Sequence, residues 1–478
     1  MAVRQHNAGV PVVRFGPGKS VRQPGRPVSA ANRTRLREAV PEVRPFRALR
    51  YDTESVGDLG AVVAPPYDVI GPDEAARLLA RHPKNVVRLD LPSAAAGDQP
   101  DERYRRAART LAAWRSDGTF HKDPRAAVYV YEQTYRVPGT DTERTQRGFF
   151  GRLRLESFGP GSGVLPHERT LEGPREDRYR LLRATGVNTS PVVGLYEDAS
   201  GTSSAVLATI AAGPAAIDLR DADDVRHRLW IAEAEGDAGE HVAELLAAAG
   251  AGPVTIADGH HRYETALRYR DERRMSRSCE EDPAFDYLLM LFLETTTEPL
   301  TVLPTHRLVR GLGSDGTARL GQPLLELFEA RPAGIAELER TFGNGLASGG
   351  AGRFGLWTRD GGSILTARRH AFSGDSAGIA PAVRQLDVWL LGVALERLFG
   401  IDDAAVAGGE RIAYTKSVTD AVARVGKAED DADAAFLLEP TPVPSITAVA
   451  RSGEVMPQKS TYFYPKALTG LVINPHEW

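Results

Sequence analysis

Apolar residues along the chain recur with two spacings, one typical of strands and the other of helices. Segments rich in β-branched and aromatic residues predict strands, and the polar GTDTERTQ between two of them predicts a hairpin. Apolar residues three and four apart predict helices. The predicted strands are NVVRLDLP, AAVYVYEQTYRV, RGFFGRLRLESF, PVVGLYED, PVTIAD, DYLLMLFLE and LTVLPTHRLV. The predicted helices include EAARLLARH, ERYRRAARTLAAWRSDG, EHVAELLAAAG and YETALRYR.

These strands and helices do not alternate regularly, which indicates an α+β or mixed α/β fold and not a doubly wound sheet. The 478 residues are enough for about two to four domains at roughly 100–200 residues each.

Charged residues are unevenly distributed along the chain, and their distribution limits which classes of binding partner are expected. The chain has 59 Lys and Arg against 63 Asp and Glu, a net charge of −4. The first 40 residues hold eight basic residues and the single acid Glu38, so the rest has a net charge of about −11, which argues against nucleic acid as a partner. The lone Cys279 excludes a disulfide framework. No segment reaches the roughly 20 apolar residues of a membrane span, and we expect a cytoplasmic protein.

The densest group of polar residues is Asp258-Gly259-His260-His261-Arg262, between an apolar strand and an amphipathic helix. A strand-to-helix turn presents backbone N–H groups and the positive end of the helix dipole, which favours an anion. Gly259 permits close approach of a ligand, and Arg262 and the histidines add donors for phosphate. A helix N-cap would explain Asp258, but not two histidines and an arginine in one turn.

A second group, Pro166-His167-Glu168, follows a Gly-rich turn. The pKa of a carboxylate flanked by histidine and arginine can be tuned by its neighbours. The alternative is a solvated charge cluster at a helix start. The residues after the glutamate lack the second histidine of a metalloprotease helix, so the motif does not indicate zinc.

Three further segments are candidates for substrate binding. Tyr67 and Asp68 follow two prolines in a stiff turn, Arg307 lies in an apolar strand, and Lys459 and Lys466 flank an aromatic run. A structural role is as well supported for each of them: a turn, a core position or aromatic packing.

Eight segments between about Arg44 and Ile473 together resemble the large prokaryotic family catalogued as domain of unknown function 1015. They are RPFRALRYD, VVAPPYDVI, NVVRLDLP, LPHERTLEGPREDR, NTSPVVGLY, IADGHHRYETAL, LPTHRLV and KSTYFYPKALTGLVI. That family is similar to the free serine kinases of the ParB/sulfiredoxin-like superfamily, which carry a Pro-His-Glu segment and an Asp-Gly-His-His-Arg turn. Both occur here, and the resemblance implies a ParB/sulfiredoxin-like kinase core with additional N- and C-terminal α/β regions.

We accordingly divide the chain into four regions. Residues 1–42 are a basic, disordered extension, and residues 43–160 an N-terminal α+β region. Residues 161–310 are the ParB-like nucleotide and catalytic region, and residues 311–478 a C-terminal α/β region.

The resemblance further implies phosphoryl transfer from ATP or ADP, with Mg²⁺, to the hydroxyl of free L-serine, giving O-phospho-L-serine. It implies Glu168 as the general base, with His167 and Asp258 as further catalytic residues. Asp258 would hold Mg²⁺ or orient a histidine, and the rest of its turn, 259–262, would bind the nucleotide phosphates. L-serine and the nucleotide would be the partners, and a homodimer is left open.

Two alternatives to a serine kinase stay open. One is a non-catalytic ParB-like nucleotide-binding switch. The other is a kinase or phosphatase acting on another small hydroxylated metabolite.

Overall fold

A computed structural model describes residues 40–168, 172–276, 281–297, 300–345, 352–376, 378–426 and 432–476. Most of the predicted basic extension 1–42 lies outside these ranges, as does Cys279. The described residues form a mixed α/β protein with one large mixed sheet. None of its described helices has both the length and the apolar composition needed to span a bilayer.

The large sheet contains nine of the described strands. In spatial order, eight of them are Val164–Leu165, Val254–Asp258, Val192–Tyr196, Tyr287–Glu294, Glu143–Arg154, Ala127–Arg136, Arg226–Glu233 and Ile217–Arg220, and the ninth, Val43–Arg44, also pairs with Glu143–Arg154. Two of the pairings are parallel and the rest antiparallel. The predicted hairpin is confirmed, with Tyr129 opposite Phe150. The sheet takes strands from both sides of residue 160, and the domain boundaries remain a prediction.

Helices cover one face of this sheet. They are Glu172–Thr185, Thr202–Ala211, Gly239–Ala249 and His260–Ser276. Within the strand Tyr287–Glu294, Met290 and Phe292 pack in the core beneath these helices, whereas Leu289 and Leu291 pack in the core on the opposite side. Successive strand residues point to opposite faces, and burial on both faces explains why this segment is apolar throughout.

A second sheet of six described strands, all antiparallel, lies on that opposite side. Its spatial order is Phe328–Pro332, Gly361–Ala367, Arg353–Thr358, Ala432–Leu437, His306–Arg310 and Ile412–Thr415. Val309 and Phe436 of this sheet share a buried cluster with Leu289 and Leu291 of the large one.

The remaining helices are mostly short. The α-helices are Thr53–Val56, Leu59–Val62, Pro72–Arg81, Val87–Asp90, Glu102–Ser116, Gly313–Ala318, Gln322–Leu327, Ile335–Phe342, Pro381–Arg384, Asp387–Phe399, Asp403–Gly408, Val418–Arg424 and Val443–Arg451. The 3₁₀ turns are Tyr67–Val69, Gly236–Ala238, Ala284–Asp286 and Arg369–Ser376.

Residues 456–475, which we call the C-terminal segment, join distant parts of the chain. Met456 N–H donates to the His167 carbonyl at 2.7 Å, and Thr469 N–H to that of Ala64 at 2.8 Å. Three small two-stranded pairings add to these contacts, two of them made by this segment. The pairings are Phe463–Tyr464 with Thr301–Val302, Asn474–Pro475 with Val187–Asn188, and Leu49–Tyr51 with Phe120–Lys122.

One predicted strand is wrong. The segment NVVRLDLP forms the short helix Val87–Asp90 instead. The reason is the buried side chain of Asn85, whose Oδ1 accepts from Val87 N–H at 3.0 Å while Nδ2 donates to the Ala61 carbonyl at 2.8 Å. A polar side chain that takes up backbone hydrogen bonds in this way competes with strand pairing.

Candidate functional site

The turn at 258–262 connects a buried strand to a long helix, as predicted. Val254–Asp258 ends where His260–Ser276 begins, with only Gly259 between them. Gly259 has φ +90°, and a Cβ at this position would lie 2.9 Å from Arg262 Nε. Glycine is therefore needed both for the backbone conformation and for the position of the arginine.

Two cations share the carboxylate of Asp258. Lys466 Nζ donates to Oδ1 at 2.5 Å, and Arg262 Nη2 donates to Oδ2 at 2.6 Å. The side chains of Asp258, Arg262 and Lys466 are only 15%, 10% and 12% exposed. Burial alone would raise the pKa of Asp258, but the charges of Lys466 and Arg262 outweigh it and hold this pKa well below its ordinary value. The three side chains together carry one surplus positive charge.

The two predicted histidines His167 and His260 form a buried pair. Their rings meet edge to face with centroids 4.7 Å apart, and the His167 backbone N–H donates to His260 Nε2 at 3.3 Å. His167 Nδ1 also contacts the Ile256 carbonyl, and its Nε2 lies 3.0 Å from the Thr461 hydroxyl. Burial lowers the pKa of His167 to about 4 and that of His260 well below its ordinary value. Both rings are therefore neutral at pH 7 and add no positive charge for a phosphate.

Glu168 is held at the edge of this group by the C-terminal segment. Its Oε1 accepts from the Lys459 backbone N–H at 3.0 Å, and Glu168 pairs with Met456 in a parallel bridge. The side chain is half-buried, and loss of surrounding water raises the pKa of Glu168 to about 7. A carboxyl with a pKa near neutrality is well matched to accept a proton at pH 7.

The other predicted residues lie close enough for electrostatic interaction with this group. Asp68 raises the pKa of Arg262, Arg262 opposes the raised pKa of Tyr67, and Glu168 acts to raise the pKa of Arg307. His261 is influenced by Lys459 and Asp68.

Burial has a marked effect on two of these residues. It raises the pKa of Tyr67 to about 12 and lowers that of Arg307. The Tyr67 ring lies under the Arg178 guanidinium at 4.0 Å, and with its raised pKa the Tyr67 hydroxyl is neutral at pH 7. The structure thus brings every predicted site residue into one region.

Sequence reasoning missed several neighbours. The Thr461 hydroxyl lies 3.0 Å from His167 Nε2, and the centre of the Tyr462 ring lies 4.4 Å from Lys466 Nζ and 3.7 Å from Lys416 Nζ. The aromatic run contained a signal for Tyr462. Lys416 belongs to no motif, because it follows a strand of the second sheet and reaches the site only through tertiary packing.

Three cavities adjoin the charged group. The first, about 20 Å³, is lined by Asp258, Arg262 and Lys466. The second is a cleft of about 710 Å³, and Lys466, Tyr462 and Lys416 form part of its wall. The third, about 40 Å³, lies on the Arg262 side. Lys466 lines both the first cavity and the cleft, and the volume of the cleft suits a small-molecule site.

The expectation that Asp258 holds Mg²⁺ does not fit these contacts. Lys466 and Arg262 each occupy one of its oxygens, so a metal would have to displace a cation. Across the part of the chain that the structure describes, no group of three His, Cys, Asp or Glu side chains is placed to hold a metal. Asp258 instead orients Arg262 and Lys466.

A family model described as "Protein of unknown function (DUF1015)" matches residues 43–389, most of the chain. The chain belongs to the DUF1015 family. This confirms the first part of the resemblance noted in the sequence. A comparison with curated proteins finds no match.

Solved structures resemble this DUF1015 protein only distantly. A free serine kinase in complex with AMP is 12% identical with a TM-score of 0.33, over 63% of this chain and 83% of that one. A conserved hypothetical protein from Pyrococcus furiosus is 14% identical with a TM-score of 0.32, over 63% and 87%. SbnI with a C-terminal truncation, from Staphylococcus aureus, is 10% identical with a TM-score of 0.32, over 65% and 83%. TM-scores this low do not establish a shared fold.

Proposed function

We propose that this DUF1015 protein is a kinase that transfers a phosphoryl group from ATP or ADP to the hydroxyl of free L-serine. One observation carries the proposal: a buried carboxylate shared by two buried cations lies near a carboxyl whose pKa is close to 7. Phosphoryl transfer needs an anion site and a group that accepts the acceptor's proton.

The anion site is the group Asp258, Arg262 and Lys466. Two positive charges and one negative charge leave a net positive charge where little water can solvate it. Such a surplus is stabilised by an incoming phosphate, and most strongly by the charge that develops on the phosphoryl oxygens in the transition state. The turn N–H groups of residues 259–262 add donors at the helix N-terminus.

The proton acceptor is Glu168. As the serine oxygen forms its bond to phosphorus, the hydroxyl proton passes to a Glu168 carboxylate oxygen. The bond between phosphorus and the leaving nucleotide oxygen breaks at the same time. Lys466 acts to lower the pKa of both Glu168 and Asp258. This supports placing the acceptor hydroxyl between the base and the anion site.

Serine as the acceptor comes from the resemblance of Pro166-His167-Glu168 and Asp258–Arg262 to the free serine kinases. The cleft of about 710 Å³ supports a nucleotide as donor, since it has the volume and the aromatic wall that a nucleoside requires.

The test is to incubate the protein with ATP or ADP, Mg²⁺ and L-serine and to measure O-phosphoserine by mass spectrometry. Wild type should form it, and Glu168→Gln should lower the rate by about 10²–10⁴-fold, the usual contribution of a general base. Nucleotide affinity should persist in that variant. Glu176→Gln, on an exposed helix position, is the control and should match wild type.

Two results would contradict the proposal in different ways. Product that is unaffected by Glu168→Gln would remove Glu168 as the base. Bound nucleotide without product would favour the nucleotide-binding switch.

A further inference from the structure

Lys416 is a cation in the wall of the large cleft, and it has no place yet in the proposed chemistry. It directly follows Ile412–Thr415, the outermost described strand of the second sheet, and it lines the cleft of about 710 Å³. The residue is exposed, so it is open to a ligand that enters the cleft.

The ammonium of Lys416 has an aromatic neighbour in place of a carboxylate. Nζ lies 3.7 Å from the centre of the Tyr462 ring, and among the described residues it makes neither a hydrogen bond nor an ion pair. Partial loss of water and the charge of Lys466 lower the pKa of Lys416, whereas Asp223 acts in the opposite direction. An anion bound beside Lys416 would counter both of the effects that disfavour its charge.

The acidic residues in the wall of the cleft do not neutralise Lys416 by direct contact. Glu74 pairs with Arg77, and Asp221 Oδ2 lies 3.0 Å from His227 Nε2. Asp223 influences the pKa of Lys416, but no ion pair joins these two side chains. The ammonium of Lys416 is therefore available to an incoming anion.

The Tyr462 ring also shows that Lys416 lies near the anion site. Lys466 Nζ, which donates to Asp258, lies 4.4 Å from the centre of the same ring. The two ammonium nitrogens are therefore no farther apart than the sum of their distances to this ring. Two cations this close match a ligand that carries linked anionic groups, such as the phosphates of a nucleotide.

We propose that Lys416 binds the phosphate of the leaving nucleotide, next to the phosphoryl group that is transferred at the anion site. The inference rests on the proposed function for the position of the transferred group. When the bond between phosphorus and the nucleotide oxygen breaks, its electron pair stays on that oxygen, and the negative charge of the leaving phosphate grows. Lys416 therefore stabilises the leaving phosphate most strongly in the transition state. This phosphate is the α-phosphate of ADP or the β-phosphate of ATP, whichever is the donor.

Calorimetric titration with adenosine, AMP, ADP and ATP tests which phosphate each lysine binds. Lys416→Met should lower the affinity of each nucleotide that reaches this lysine at least about tenfold, since one charge-assisted hydrogen bond is lost. Adenosine affinity should not change. Lys466→Met should weaken only the nucleotides with one further phosphate. The loss of affinity should therefore begin one phosphate earlier along the series in Lys416→Met than in Lys466→Met.

Two further variants serve as controls. Lys416→Arg keeps the positive charge and should retain nucleotide affinity within about threefold. Arg340→Met removes an exposed cation that does not line the cleft, so it tests the change in net charge alone and should match wild type. Unchanged ADP and ATP affinities in Lys416→Met, or a loss that begins at the same nucleotide in both lysine variants, would overturn the proposal. A loss of the same size for adenosine would also overturn it, because Lys416 would then act on the nucleoside or on the shape of the cleft.

The two proposals fail in distinguishable ways. O-phosphoserine formation by wild type, with unchanged ADP and ATP affinities in Lys416→Met, would keep the kinase and remove the role of Lys416. Nucleotide affinity that depends on Lys416 and on the number of phosphates, without any O-phosphoserine from wild type, would keep the phosphate-binding residue and remove the kinase.

Discussion

Glu132 and Asp258 each lie between two cations. Glu132, 1% exposed, lies between Arg147 and Arg228 of neighbouring strands, and these arginines are 30% and 29% exposed. Around Asp258 the cations are only 10% and 12% exposed. Both groups carry one surplus positive charge. Water hydrates the arginines around Glu132 but is largely excluded from the cations around Asp258. Exposure of the cations, not their number, therefore distinguishes the two groups.

The largest expected difference is in catalysis. Lys466→Met removes the surplus charge at Asp258 and should lower kcat/KM for phosphoryl transfer by about 10²–10³-fold, the usual loss when one stabilising donor is removed. Arg147→Met removes the corresponding surplus at Glu132 and should leave kcat/KM within about twofold. Equal losses of kcat/KM in the two variants, measured in steady-state assays, would contradict the distinction between the two groups.

Removing the carboxylate charge should destabilise the protein more at Asp258 than at Glu132. Asp258→Asn leaves two buried cations unpaired and should lower the free energy of unfolding by about 3–5 kcal/mol. Glu132→Gln should cost only about 1–2 kcal/mol, because its arginines reach water. Urea denaturation measures both, and added pyrophosphate should restore stability to Asp258→Asn alone. A pyrophosphate effect of the same size in Glu132→Gln would show that its surplus is accessible as well.

The pH dependence of the site follows from Glu168. Its pKa of about 7 means that the base is protonated below neutrality, so kcat/KM should rise about tenfold per pH unit up to pH 7 and then level off. Folding raises this pKa. At a pH between the pKa of the unfolded state and that of the folded state, the folded protein therefore binds more protons at Glu168 than the unfolded chain does. The free energy of unfolding consequently falls as pH rises toward 7. Wild type should accordingly lose more stability than Glu168→Gln between pH 5 and 8. A pH–rate profile that is flat across pH 7 would contradict the role of Glu168.

The smallest effect concerns the backbone of the turn. Gly259→Ala introduces a Cβ at φ +90°, 2.9 Å from Arg262 Nε, and should weaken nucleotide binding severalfold by displacing the guanidinium. Gly236→Ala has a similar φ of +80° with no atom within 4 Å, so it tests the backbone penalty alone. Both should lose about 1 kcal/mol of stability. Titration with a fluorescent nucleotide should separate them, and equal nucleotide affinities would show that Gly259 serves the backbone only.

Local patterns predicted the elements that depend on neighbours in sequence. The hairpin Ala127–Arg154 and the turn at 258–262 follow from apolar spacing and glycine chemistry. The strand predicted at NVVRLDLP failed because one side chain, Asn85, decides the conformation there.

The pairing of motifs could not be predicted from local pattern. Lys466 meets Asp258 across 208 residues of sequence, and Thr461 meets His167 across 294. Such contacts depend on the packing of whole sheets.

The C-terminal segment has a consequence for how the site forms during synthesis. Lys459 follows Glu168 by 291 residues, which a ribosome adding 5–20 residues per second covers in about 15–60 s. During that interval Glu168 and His167 have emerged, but their partners at residues 456–461 have not. A nascent chain stalled before residue 456 can form much of the large sheet and still lack a completed site, so activity in a timed translation should begin later than protection of the sheet from protease.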